Sequence, residues 1–139
     1  GKDDLIRSGN QHSALDRKTV LVVEDISSNY LLISAMLSKH YNLLHAVNGE
    51  QAVAMVKEYK IDLLLMDMKM PVMDGLTATA EIRKFDTNIP IVALTAHAFE
   101  SDKVAALKSG CNDYLVKPVD KARLMSVLRK YCHPSTLVL

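Results

Sequence analysis

Glycine-rich turns, membrane-length apolar runs and a surplus of charge of either sign are all missing from this chain. The turn after its first apolar run reads EDISSN (Glu24–Asn29) and holds no glycine. That argues against a nucleotide- or flavin-binding domain, whose phosphate loop needs glycine for close backbone approach. Lys and Arg total 17 against 16 Asp and Glu, a formal net charge of +1. With no basic stripe, nothing draws the chain to nucleic acid. No apolar run approaches the ~20 residues needed to cross a bilayer. The opening stretch GKDDLIRSGNQHSALDRKT lacks an apolar core for export. Two cysteines, Cys111 and Cys132, lack metal-ligand spacing and are too few for a disulfide framework. The five histidines are scattered without ligand spacing. The expected setting is the reducing cytoplasm.

What is present is a soluble globular composition. Of 139 residues, 49% are hydrophobic and 24% charged, which suits one domain with a single core. Residues 1–17 read as a linker or tag remnant, 18–132 as the domain and 133–139 as a tail. Strands are expected at Thr19–Glu24, Asn42–Val47, Ile61–Met66, Ile89–Leu94 and Asp113–Val116. Between and after them, helices are expected from Ser27 or Ser28 as cap to about His40, over Glu50–Tyr59, Leu76–Lys84, Ser101–Ser109 and Ala122–Tyr131. Asn48-Gly49 reads as a turn, Gly110 as a helix-closing glycine and Asp120 as the last cap. Strand–helix alternation with short connections predicts an α/β fold: a parallel sheet, helices on both faces, a doubly wound three-layer sandwich.

Ligands in such a sheet sit beyond the carboxyl ends of the strands, where strand order reverses. The residues ending strands one, three, four and five are Glu24 and Asp25, Asp67, Thr95 and Lys117. One small site would therefore hold three carboxylates, a hydroxyl and an ammonium. Close carboxylates repel by ~4 kcal/mol per pair at intermediate dielectric. One lysine cannot neutralise three charges, and all-oxygen ligation suits Mg²⁺. Asp67 is then a candidate nucleophile towards a phosphoryl group, with Thr95 and Lys117 placed to meet the transferring oxygens.

Four motifs carry a family resemblance: VLVVED ending at Asp25, MDMKMPVMDG at Met66–Gly75, ALTA at Ala93–Ala96 and DYLVKP at Asp113–Pro118. In their order and intervals they resemble the receiver domain of two-component response regulators, over roughly residues 19–131. EDISSN and LTAHAF are similar to receivers fused to hybrid histidine kinases. The resemblance implies a flavodoxin-like (βα)5 sheet in the order 2-1-3-4-5, and a cis Lys117-Pro118 peptide. It implies that Asp67 accepts a phosphoryl group from a phosphohistidine donor. Mg²⁺ would be held by Asp25, Asp67 and the Lys69 backbone carbonyl, with Glu24 acting through a water. Thr95 and Lys117 would bind the phosphoryl oxygens, and the Tyr114 ring would swing inward as Thr95 moves. Implied partners are a histidine kinase or a histidine phosphotransfer domain, with the domain a monomer or weak dimer.

Glu24 stands where many members carry Asp, one methylene shorter. Lys69 and His97 lie two residues after Asp67 and Thr95, beside the route of an attacking water, and are expected to tune phosphoryl lifetime. A phosphatase of the haloacid dehalogenase type would need an acid at Lys69. A receiver that only binds partners would not need Asp67, Thr95 and Lys117 together. A stand-alone receiver and a receiver passing its phosphoryl group onward both remain open at this point.

Overall fold

A computed structural model describes residues 17–134. The linker expectation for 1–17 thus lies outside the described residues except at Arg17, and the tail expectation except at His133 and Pro134. Among the described residues five strands and five helices alternate: β1 Thr19–Val23, α1 Ser27–Leu37, β2 Asn42–Ala46, α2 Gly49–Glu58 and β3 Leu63–Asp67, then α3 Gly75–Arg83, β4 Ile91–Thr95, α4 Glu100–Ser109, β5 Asp113–Val116 and α5 Lys121–Tyr131. The strands form one parallel sheet in the order β2-β1-β3-β4-β5. Order reverses between β1 and β3. That is the expected doubly wound sandwich.

Side chains alternate across a strand, and the sheet uses this to build two cores. Val20, Val22, Leu63, Leu65, Val92 and Leu94 face Ile33 and Leu37 of α1 and Leu124 and Leu128 of α5. Leu21, Val23, Leu64, Met66, Ile91 and Ala93 face Ala52 of α2, Ala78 and Ile82 of α3 and Ala106 of α4. Burial on both faces explains why these strands read as unbroken apolar runs.

Several boundaries differ from the sequence reading for local reasons. β3 begins at Leu63 rather than Ile61, because the Asp62 carboxylate accepts the Thr19 amide at 2.8 Å. β4 begins after Pro90, which has no donor, and includes Thr95. Neither Ser27 nor Ser28 caps α1. Ile26 occupies the cap, without a side-chain bond, because the buried Glu24 accepts the Ile26 amide at 3.2 Å. Asn48-Gly49 opens α2 instead of making a separate turn: Asn48 Oδ1 accepts the Gln51 amide, and Gln51 Oε1 accepts the Val47 amide. This is a reciprocal capping pair. Gly110 closes α4 with φ 118°, and Asp120 caps α5 through the Arg123 amide, as expected.

Candidate phosphoryl-acceptor site

The sheet register gathers the predicted residues at one edge. Val23 pairs with Met66, Asp67 with Leu94 and Thr95 with Val116, so the strands end level beside the β1/β3 reversal. Glu24, Asp67 and Lys117 continue the alternation of Val22, Leu65 and Leu115, all on the α1/α5 face. Their side chains accordingly meet: Lys117 Nζ lies 3.0 Å from Asp67 Oδ2 and 3.2 Å from Glu24 Oε1. Thr95 continues the opposite alternation, that of Ile91 and Ala93. Its hydroxyl donates to the His97 carbonyl at 2.8 Å.

Glu24 is completely buried and Asp67 nearly so, while Asp25 is exposed at the rim. Carboxylate oxygens of the three lie within 4.8 Å of one another. Burial, with the Asp67 charge adding to it, pushes the Glu24 carboxyl above its ordinary value despite the Ile26 amide and Lys117. Burial alone would depress the Lys117 ammonium; hydrogen bonding and charge from Asp67, then Glu24, outweigh that and raise it. The ionised trio beside one ammonium leaves two negative charges uncompensated. Three hard oxygen donors with that residual charge fit a divalent cation of the Mg²⁺ type.

Asp67 Oδ1 accepts the Lys69 amide at 3.1 Å, so the loop after β3 turns back over the carboxylate. A cavity of about 550 Å³ opens above, lined by Asp25, Asp67, Lys69, Thr95, His97 and Lys117. Met68, Met70, Leu76 and Ala105 extend it towards α4. Met68 and Met70 fall within the Met66–Gly75 motif, whereas no sequence spacing announced Ala105, because α4 comes beside the loop only in space. The Lys69 side chain and His97 are exposed at the rim, and the His97 ring stacks on Phe99 with centroids 5.0 Å apart. Tyr114 is half-buried on the α4 side, with Lys103 Nζ 5.0 Å from its ring centre. Lys117-Pro118 is cis.

A sequence model of the response regulator receiver domain matches residues 20–129. The hybrid signal transduction histidine kinase M of Dictyostelium discoideum is 40% identical over 119 residues, 80% of this chain and 5% of that protein. The sensor histidine kinase GacS of Pseudomonas protegens is 42% identical over 118 residues, 81% of this chain and 13% of that protein. The chain thus spans a small part of these relatives. Among solved structures, the receiver domain of the sensor histidine kinase PA1611 from Pseudomonas aeruginosa carries a magnesium ion coordinated in its active-site cleft. It aligns with TM-score 0.77 at 39% identity, covering 82% of this chain and 96% of that one. The receiver domain of the Saccharomyces cerevisiae response regulator Ssk1, crystallised with the histidine phosphotransfer protein Ypd1, aligns with TM-score 0.81 at 35% identity. That alignment covers 88% of this chain and 94% of the other. Since the family match runs from Val20 in β1 to Arg129 in α5, the chain belongs to the response regulator receiver domain family.

Proposed function

We propose that this domain accepts a phosphoryl group on Asp67 from a phosphohistidine and changes its partner binding, or hands the group to a histidine phosphotransfer domain. One observation carries the reading. A nearly buried Asp67 carboxylate at the end of β3 lies within reach of Lys117, Glu24 and Asp25 together. An Asp67 oxygen attacks phosphorus, the P–N bond breaks, and its electron pair returns to the imidazole. Asp25, Asp67 and the Lys69 carbonyl would hold Mg²⁺, with Glu24 reaching it through water. Bound there, Mg²⁺ would neutralise charge developing on the phosphoryl oxygens.

Lys117 already sits on Asp67 and can follow the charge as it moves outward onto the phosphoryl group. Thr95 must first release the His97 carbonyl. A neutral hydrogen bond contributes about 1 kcal/mol, whereas one to a charged oxygen contributes about 1.5–3 kcal/mol. The exchange favours the phosphorylated state, biasing a loop that ends at Phe99 beside α4. Tyr114, against α4, would report the shift. Lys69 and His97 at the rim would set the lifetime of the phosphoryl group, and small residues at both positions should alter the dephosphorylation rate.

An apolar strip beside the site supports docking of a phosphodonor or acceptor. Leu31 and Leu32 on α1 are 63% and 59% exposed, and Ile26 at its start is half exposed. The Ssk1 receiver's crystallisation with a phosphotransfer protein supports the same choice of partner. The hybrid-kinase context rests on relatives such as the Dictyostelium kinase.

The test is two-dimensional NMR with beryllofluoride, an acyl-phosphate analogue, with and without Mg²⁺. Mg²⁺-dependent shifts near Asp67, Thr95 and Lys117, absent in Asp67→Asn, are expected. An unresponsive wild type would leave a binding module that works unmodified.

A further inference from the structure

We propose that Gly49, on α2 and outside the acidic cluster, is a positioning residue for the loop that carries the Lys69 carbonyl. The inference rests on the reading of the site as a Mg²⁺-dependent phosphoryl acceptor. Its physical basis is a backbone-to-backbone contact between the start of α2 and the loop before α3, set at the edge of the core those helices share. The Gly49 amide donates to the Met73 carbonyl at 2.9 Å. A Cβ on Gly49 would overlap that same carbonyl oxygen and come within 2.9 Å of Ala78 Cβ and 3.0 Å of Met73 Cγ. The colliding atom is backbone, so it cannot swing away as a side chain could. Only glycine allows this approach.

Met73 is the far anchor of the loop leaving Asp67. At the near end, the Met68 amide donates to the Leu94 carbonyl at 3.0 Å. Between them, Lys69 gives its amide to Asp67 Oδ1, and Pro71 has none to give. Val72 is held at φ 70°, and the Met73 amide closes a three-residue turn onto the Pro71 carbonyl at 2.7 Å. A β-branched residue resists that conformation, so the turn persists only while its surroundings hold it. The Gly49–Met73 contact is where α2 does so. Moving Met73 outward lengthens the path from Met68 and shifts Lys69, whose carbonyl belongs to the proposed ligand set. Gly49 thereby acts on metal affinity from a neighbouring helix, much as outer-shell partners orient first-shell ligands.

The experiment is a Mg²⁺ titration followed on the Lys69 amide resonance in wild type, Gly49→Ala and Ile91→Val. The last is a core control at the opposite end of the sheet. Mg²⁺ affinity should fall about tenfold in Gly49→Ala, the scale of outer-shell substitutions in metal sites. It should be unchanged in Ile91→Val even where global stability drops similarly. Equal affinity in Gly49→Ala and wild type overturns the proposal.

Should Gly49→Ala not fold, hydrogen exchange on wild type decides. Coupling is reciprocal, so if the contact favours Mg²⁺, saturating Mg²⁺ must slow exchange of the Gly49 amide. An unchanged Gly49 amide alongside a shifted Lys69 resonance overturns the positioning role alone. Absence of any Mg²⁺ response in wild type overturns the site reading beneath it.

Discussion

The Lys117 ammonium rests 3.0 Å from Asp67 Oδ2 and reaches Glu24 at the same time, so one cation serves two buried carboxylates. Removing one member of a buried ionic group leaves the others uncompensated, which costs more than the pair itself contributes. Lys117→Met keeps the aliphatic stem and deletes the charge. Stability in the absence of Mg²⁺ should fall by roughly 1–3 kcal/mol, because the stranded Glu24, whose carboxyl burial already raises, can lower its cost by taking up a proton. Urea midpoints with and without Mg²⁺ check this. The cation should stabilise the variant more than wild type, since it replaces the missing charge. Equal Mg²⁺ effects would show that Lys117 does not offset the carboxylates.

Glu24 gives a pH prediction. Its carboxyl is raised above the ordinary 4.5, burial being the chief cause. A group raised on folding contributes stability that is complete below its unfolded value and lost as pH climbs through the folded one. In the metal-free protein, ionised Glu24 therefore works against the fold at neutral pH. Glu24→Gln should be more stable than wild type at pH 7 without Mg²⁺, and the difference should shrink as pH falls towards 4.5. With Mg²⁺ the order should reverse. Thermal melts over that range, in chelator and in Mg²⁺, measure both trends.

How far the sequence carried this reading depends on the scale of the interaction. β3 and β4 were legible because burial on both faces leaves unbroken runs such as IVAL, and Asp67 and Lys117 because each ends such a run abruptly. The start of α1 was not. Two serines looked like caps, but the buried Glu24 accepts the Ile26 amide and moves the cap to Ile26. Arg83 was equally hidden. Besides the nearby Asp86 carbonyl, it joins the end of α3 to the Gly110 carbonyl and the Asn112 side chain, partners that meet only after the sheet forms. The Gly49–Met73 contact belongs to the same class: Asn-Gly announces a turn, and nothing local says which loop will lie against it.

Val72 stores strain that substitution should release. Its φ of 70° is unfavourable for a β-branched residue, and the side chain is 76% exposed, so little burial opposes a change. Leaving the left-handed region to glycine recovers about 1–2 kcal/mol, against about 0.5–1 kcal/mol for glycine's greater unfolded freedom. Val72→Gly should therefore raise stability by up to about 1.5 kcal/mol. Denaturant midpoints test it. A loss of stability instead would mean that Val72 makes contacts outweighing its backbone conformation.

At the opposite end of the sheet, Tyr41 and Cys132 join the segment after α1 to the end of α5. The Tyr41 hydroxyl donates to the Cys132 carbonyl at 2.7 Å, and both residues are buried. Tyr41→Phe leaves that carbonyl without its partner and should cost about 1–2 kcal/mol. Burial first, and the Asp62 charge second, push the Cys132 thiol from 9.0 up to about 11; burial raises the Tyr41 hydroxyl as well. Both groups are neutral when protonated, so each contributes stability that is complete below its unfolded value and lost as pH rises through the folded one. Stability should be flat around pH 8 and decline from pH 9 towards 11. The Cys132 share is on the order of 2 kcal/mol. Cys132→Ala removes that share, so urea unfolding across this window should show a shallower decline in the variant. Parallel declines in variant and wild type would place the alkaline sensitivity elsewhere.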